Sequence, residues 1–207
     1  KTLNDGNTTV NATASGVRVY GVQVSALDAG QGDVPVTAEV TGPYTGSGWG
    51  ANCVSGIGGS SVRAKNLEVN SKAVDIRAYG LSDRLDIEVE TMEIRAESNT
   101  AYGMCVMFSS PIHADQALIE AKGSNVYGSS AHGIGASYGL SDNSHEMSGD
   151  DWTIKAQAQG NATGIWMRNN DTLTMNVKNL DMTTLEGAHD VYGLEMREGN
   201  FRLNGEK

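Results

Sequence analysis

One short phrase recurs along the chain at nearly even intervals, and it restricts the possible fold more than any other feature. A small residue or Tyr is followed by Gly and then by two apolar residues separated by one position. It reads Tyr20-Gly21-Val22-Gln23-Val24, Trp49-Gly50-Ala51-Asn52-Cys53, and, with Ala in the Gly slot, Lys72-Ala73-Val74-Asp75-Ile76. It returns as Tyr102-Gly103-Met104-Cys105-Val106, His132-Gly133-Ile134-Gly135-Ala136, Thr163-Gly164-Ile165-Trp166-Met167 and Tyr192-Gly193-Leu194-Glu195-Met196. The anchors fall at positions 21, 50, 73, 103, 133, 164 and 193, so the successive steps are 29, 23, 30, 30, 31 and 29. Within each copy the first and third residues after the anchor are apolar or small and the second is mostly polar, the period of a strand with one buried face.

A second pattern lies between the anchors: two apolar residues one apart, two residues skipped, then two more. Val62-Arg63-Ala64 precedes Leu67-Glu68-Val69, Ile87-Glu88-Val89 precedes Met92-Glu93-Ile94, and Met175-Asn176-Val177 precedes Leu180-Asp181-Met182. A phase slip in a straight strand would turn its apolar side to solvent, so the slip predicts a corner. Lys65-Asn66 and Lys178-Asn179 stand at it, and Asn tolerates the left-handed backbone that tight corners use. Each repeat, about 30 residues long and so within the range of solenoid units, is expected to hold three short strands and three bends. Such a unit buries its apolar face only by stacking on its neighbours. The fold class expected is therefore all-β, a parallel β-helix (solenoid) of about seven coils, with residues 1–207 as one domain. At about 4.8 Å per coil the rod is on the order of 30 Å long. A β-sandwich also alternates in short strands, but it gives no reason for a common anchor. The segment Phe201-Arg202-Leu203-Asn204 reads as the second strand of an unfinished eighth coil, and the lack of a clear cap suggests a fragment of a larger protein. Excursions at 42–48 and 140–150 are expected to bulge from the rod, where binding residues tend to sit.

Composition narrows the partners. The formal net charge is −10, from 25 acidic and 15 basic residues. Phosphate backbones and anionic membrane surfaces repel such a chain, so no nucleic acid and no membrane contact is expected. No run reaches the roughly 18 apolar residues of a transmembrane helix.

The recurrent phrase in Ala101-Tyr102-Gly103-Met104, Ala78-Tyr79-Gly80-Leu81 and Val191-Tyr192-Gly193-Leu194, on a cysteine-poor background rich in Ser, Thr, Asn and Gly, resembles the passenger domains of bacterial autotransporter adhesins. The resemblance is one of repeat style and covers most of the chain. It implies a right-handed β-helix, secreted or displayed at the bacterial cell surface and followed by a membrane-embedded β-barrel.

The sequence assembles no catalytic set. His132 occupies the slot that Tyr fills elsewhere and reads as a repeat-position residue. His113, His145 and His189 lie in or near bends and share no spacing, and no HExxH signature occurs. Ser60-Ser61 and Ser129-Ser130 lack a nucleophile elbow and read as turns. Asp150-Asp151 could pair as acid and base or hold Ca²⁺, but such pairs are more often solvated turns. No catalytic residue, metal site or cofactor is expected. Cys53 falls in an inward slot and Cys105 in an outward one two coils away, about 10 Å by stacking, too far for a disulfide. Trp152 opens an inward-facing strand. Trp166 falls in an outward slot, and an exposed Trp could stack on a sugar ring; with Tyr138 and Met147 it forms the candidate glycan contact.

The function expected is a non-enzymatic adhesin or surface-display stalk, with a host-cell surface, a glycan or the protein itself as partner. The alternatives are a β-helical polysaccharide-degrading enzyme or phage tailspike, and a purely structural self-associating module.

Overall fold

A computed structural model describes the chain except residues 1, 5, 16–17, 44–52, 60, 107, 125–128, 137–142, 169, 183–184, 188 and 206–207. The described residues form an all-β structure without helix, and the strands pair in parallel in two sheets. That arrangement is consistent with a β-helix-like solenoid.

Seven strands make one sheet: Val19–Val22, Cys53–Gly58, Arg77–Asp83, Thr100–Val106, Ser130–Ala136, Asn161–Met167 and Val191–Met196. They stack in chain order, each on its predecessor one turn earlier. The larger sheet has eleven strands. Its body is the long strands Ser61–Ala73, Asp86–Ser98, Pro111–Gly123, Ser144–Gln157 and Thr172–Asp181. Short strands extend it at both ends, among them Thr2–Asn4, Val10–Ala14 and Asp33–Val40 before, and Asn200–Asn204 after.

Parallel stacking turns the sequence repeat into columns. In the small sheet, Tyr20, Ser55, Tyr79, Tyr102, His132, Thr163 and Tyr192 share one column. The next column is glycine throughout: 21, 56, 80, 103, 133, 164 and 193. This corrects two anchors. Gly56 and Gly80 hold the places expected for Gly50 and Ala73, so the successive steps become 35, 24, 23, 30, 31 and 29. Ala73 instead ends a long strand, where it is buried, and Gly50 lies outside the described residues. The reason for the column is steric. A Cβ on Gly103 would lie 2.5 Å from Ile119 Cγ2 and 2.8 Å from the carbonyl oxygen of Gly133, closer than real Cβ atoms come.

The phase slip is present, in a different form from three separate strands. Each long strand runs through it unbroken, yet the ladder misses one pair there. Ala64 pairs with Val89 and Asn66 with Thr91, while Lys65 and Glu90 are passed over. The same gap falls at Asp115 and at Asp150 opposite Lys178. The glycine column is a gap of the same kind in the small sheet. The corner asparagines do not carry a left-handed backbone. Among the described non-glycine residues only Asp83 and Asn170 have positive φ. Their side chains link the turns instead: Asn66 Nδ2 donates to Asp33 Oδ1 (2.6 Å), Thr91 Oγ1 donates to Asn66 Oδ1 (2.6 Å), and Asn179 Nδ2 donates to Asp151 Oδ1 (2.7 Å).

The core lies between the sheets and is also columnar. Val62, Ile87, Ile112, Met147 and Met175 share one column, and Val69, Ile94, Ile119 and Ile154 another, all buried. Each such side chain stabilises the fold by about 1.5–3 kcal/mol relative to exposure. Alanines 78, 101, 131 and 162 of the small sheet pack on alanines 96, 121 and 156 of the large one. Trp152 is fully buried, as its inward slot predicted, and its Nε1 donates to the Ala114 carbonyl at 3.0 Å. Its bulk is matched by Ala117 beside it in the column and by Gly149, whose Cβ would lie 2.8 Å from that nitrogen.

The excursion expected at 140–150 is mostly strand. Ser144–Gly149 pairs with Thr172–Val177, because His145 and Met147 continue core columns. Of 42–48, residues 44–48 lie outside the described residues, as do 140–142.

Candidate functional site

Trp166 stands on the outer side of the small sheet, as expected, but it is only 8% exposed. It belongs to a cluster with Tyr79, Tyr102 and Cys105, separate from the main core. The Tyr79 and Tyr102 rings stack at 5.2 Å with planes 22° apart, and Tyr102 stacks on His132 at 4.8 Å. His132 meets Trp166 at 5.4 Å, and Arg168 lies over the Trp166 ring at 5.4 Å. Tyr79, Tyr102 and His132 share one column and Trp166 stands in the neighbouring column of Cys105 and Gly135, so each ring covers the next and the ladder shields itself from water. Met147 is fully enclosed in the main core, which corrects its place in the glycan contact: its column faces inward. Tyr138 lies outside the described residues. Trp166 and Met147 are therefore not brought together at a surface.

Burial sets the chemistry of the ionisable groups here. It pushes the Cys105 thiol up to about 12, with Asp83 adding to the effect, and lowers His132 to about 4. Cys105 is a buried thiol outside any disulfide. By register Cys53 shares a column with Arg77 and Thr100, away from that of Cys105.

At a corner of the large sheet Ser110, His145 and Asp171 are buried at 0, 0 and 1% exposure. These residue types can form a nucleophilic triad, but their bonds here are structural. Ser110 Oγ donates to the Phe108 carbonyl (2.7 Å) and accepts from the Leu85 amide (3.0 Å). Asp171 Oδ1 accepts from the Asn143 amide (3.0 Å) and from Asn143 Nδ2 (3.3 Å). His145 Nε2 stands 3.7 Å from Asp171 Oδ2, and neither ring nitrogen has a hydrogen bond. Burial lowers the pKa of His145, with Asp171 opposing. No substrate atom can reach a hydroxyl enclosed in this way, and a nucleophile needs its base within hydrogen-bond reach.

The remaining candidates are engaged between turns. Asp150 pairs with Lys178 Nζ at 2.8 Å, and Asp151 accepts from Asn179. His113 Nδ1 bonds Ser148 Oγ at 3.0 Å, with Nε2 3.3 Å from Asp115. Ser129 Oγ donates to the Ser124 carbonyl, as a turn residue does. The His189 amide donates to the Gly160 carbonyl at 3.2 Å, and Ser130 opens the strand Ser130–Ala136. Ser60 lies outside the described residues. Among the described residues no group of three His, Cys, Asp or Glu could hold a metal ion.

The outer side of the large sheet is open to solvent. Thr37, Asn70, Arg95 and Glu120 form one column, and Glu39, Lys72, Glu97 and Lys122 the next. Together they line a shallow groove of about 390 Å³. The second column alternates in sign at every turn. Lys72 pairs with Glu97 at 3.4 Å, and Arg95 with Glu120 at 3.5 Å and with Glu93. These exposed pairs contribute at most about 1 kcal/mol each, but they hold charges of both signs at fixed spacing. The glycine anchors do not mark this face, because they lie on the small sheet. Aligning the second pattern, Leu67-Glu68-Val69 under Met92-Glu93-Ile94, places Lys72 over Glu97 and would have found it.

No protein-family model, curated protein or solved structure matches the chain.

Proposed function

We propose that this chain is a non-enzymatic attachment or display stalk: a right-handed β-helix of about seven coils, each repeat roughly 30 residues long, carried outside a bacterial cell as part of a longer surface protein. The observation that carries the reading is the groove on the large sheet. It presents Arg95, Lys72, Lys122, Glu97 and Glu120 on a rigid ladder, and polar groups held on a stiff scaffold need little ordering when a partner binds. The partner class is a charged glycan or a glycan-bearing host-cell surface. The handedness and extracellular setting rest on the resemblance of the Tyr-Gly repeats to autotransporter adhesins.

The test is adhesion of protein-coated beads to cultured cells and binding to an array of acidic and neutral glycans. Binding should fall at least about tenfold, the equivalent of one lost charge-assisted contact, in an Arg95→Ala, Lys122→Ala double variant of unchanged fold. Unchanged binding would remove the groove as the contact. Absence of binding to every cell and glycan, with release of reducing ends from a polysaccharide, would favour an enzyme instead.

A further inference from the structure

The charged column on the outer side of the large sheet runs nearly the length of the stack. Glu39, Lys72, Glu97 and Lys122 continue through Gln157 to Glu186. Lys122 lines both the groove of about 390 Å³ and a second groove of about 410 Å³ that reaches Gln157, Glu186 and Gly187. The two grooves meet there and make one trough that crosses the strands. From Glu39 to Glu186 it spans five coil spacings, about 24 Å. An occupant of that length is a chain, not a single sugar.

Sign alternates along the trough. Glu39, Lys72, Glu97 and Lys122 change sign at every coil, and so do Arg95, Glu120 and Lys155 in the neighbouring column. Like charges in one column therefore stand two coils apart, on the order of 10 Å. With Glu186 the two columns hold four acidic and four basic side chains, a balanced face on a chain whose formal net charge is −10. A polyanion gains no steering from a balanced face, and a carboxylate repels it at every second position. A polycation meets the same obstacle with the signs reversed. A neutral chain makes no charge-assisted contact. The occupant that finds an opposite charge at each coil carries both signs in alternation and repeats every two coils. An extended disaccharide unit has a length of that order. A linear glycan in which an amino sugar alternates with a uronic acid would set carboxylates on Lys72 and Lys122 and ammonium groups on Glu39 and Glu97.

The ion pairs within the chain leave these groups within reach. Lys72–Glu97 and Arg95–Glu120 lie at 3.4 and 3.5 Å, yet their side chains stay 38–56% exposed. Exposed pairs are weak, so exchanging a neighbour's charge for the same charge on a ligand costs little. The ladder fixes the spacing before the ligand arrives, which lowers the ordering cost. A second copy of the chain has the same coil spacing, but its own formal charge of −10 opposes the approach.

We infer that this trough binds a linear glycan whose repeating disaccharide carries one free amino group and one carboxylate, laid along the stack across the strands. The inference rests on the attachment reading and specifies its ligand.

The experiment is calorimetric titration of the whole chain with hexasaccharides of one backbone, uronic acid alternating with hexosamine. One has free amines and free carboxylates, one has its amines acetylated, and one has its carboxylates reduced to alcohols. The first should bind at least about tenfold more tightly than either of the others, and raised salt should weaken it. Its disaccharide, which spans only two coils, should bind at least about tenfold more weakly than the hexasaccharide. Lys72→Glu combined with Glu97→Lys keeps the net charge, an ion pair at the same place and the parent urea midpoint, but it sets like charges side by side along the column. That variant should bind the first hexasaccharide at least about tenfold more weakly. Equal binding of the acetylated chain, or a swapped variant that binds as the parent does, would overturn the inference and leave the attachment reading standing. Binding to no glycan would overturn both. A dimer seen by sedimentation without glycan and lost in the swapped variant would give the face to a second copy, and would overturn the inference as well.

Discussion

His132 makes the outer aromatic ladder sensitive to acid, and the size of the effect can be worked from its surroundings. The ring is 9% exposed between Tyr102 and Trp166, and its Nδ1 has no hydrogen-bond partner. Burial lowers its pKa from 6.5 to about 4. The sign follows from proton counting. Above about pH 6.5 the ring is neutral in both states and contributes no pH dependence. As pH falls below 6.5 the unfolded chain takes up the proton and the folded chain does not, so stability drops until the folded ring also protonates near 4. The full difference is about 3 kcal/mol. Stacking of an imidazolium on the faces of Tyr102 and Trp166 opposes this, by about 0.5–2 kcal/mol; desolvation is larger, so the net effect remains a loss. The assay is urea unfolding at pH 7 and pH 4.5 for the parent, for His132→Tyr, which restores the residue found at 79, 102 and 192, and for His132→Gln, which is smaller and cannot titrate. Both variants should lose about 1–3 kcal/mol less than the parent between the two pH values. Equal losses in all three proteins would refute the reasoning, because the acid sensitivity would then arise elsewhere.

Three further outcomes follow from the same packing. Gly103→Ala should cost about 1–3 kcal/mol by overpacking against Ile119 and the Gly133 carbonyl, read as a lower urea midpoint than that of the parent. Native Cys105, raised to about 12 and fully buried, should resist iodoacetamide at pH 8 and react once urea unfolds the chain, as counted by mass spectrometry. His145→Leu should flatten the stability profile between pH 6.5 and pH 5, since burial lowers the pKa of that ring too while Asp171 keeps both Asn143 contacts; a profile as steep as the parent's would mean that the corner does not sense acid.

The fold was legible because stacking makes the sequence periodic. A phrase that recurs once per turn requires that equivalent residues meet, and they do, in columns as uniform as the seven glycines. The second and third anchors were misplaced for a physical reason. The column demands a residue without a Cβ, so Ala73 could not occupy it, and evenness of spacing was a weaker criterion than the steric one. The unequal steps from Gly21 to Gly56, from Gly56 to Gly80 and from Gly80 to Gly103 show why: the connections between strands differ in length without disturbing the columns. Gly80, within Ala78-Tyr79-Gly80-Leu81, was visible in the sequence all along.

The candidate contact was less legible, because alternation tells which side of a strand a residue faces but not what else lies on that side. Trp166 does face outward, yet the residues above it in neighbouring columns are also large and flat, and the rings bury one another. A single strand's pattern cannot reveal this, since the covering group comes from the turn before, a full repeat away in the chain. The same limit hid the alternating charges of Glu39, Lys72, Glu97 and Lys122, which are ordinary in their own strands and form a ladder only across four of them. In a stacked fold the unit that faces a partner is the column, so candidate contacts are better sought by reading the sequence across its repeats than along them.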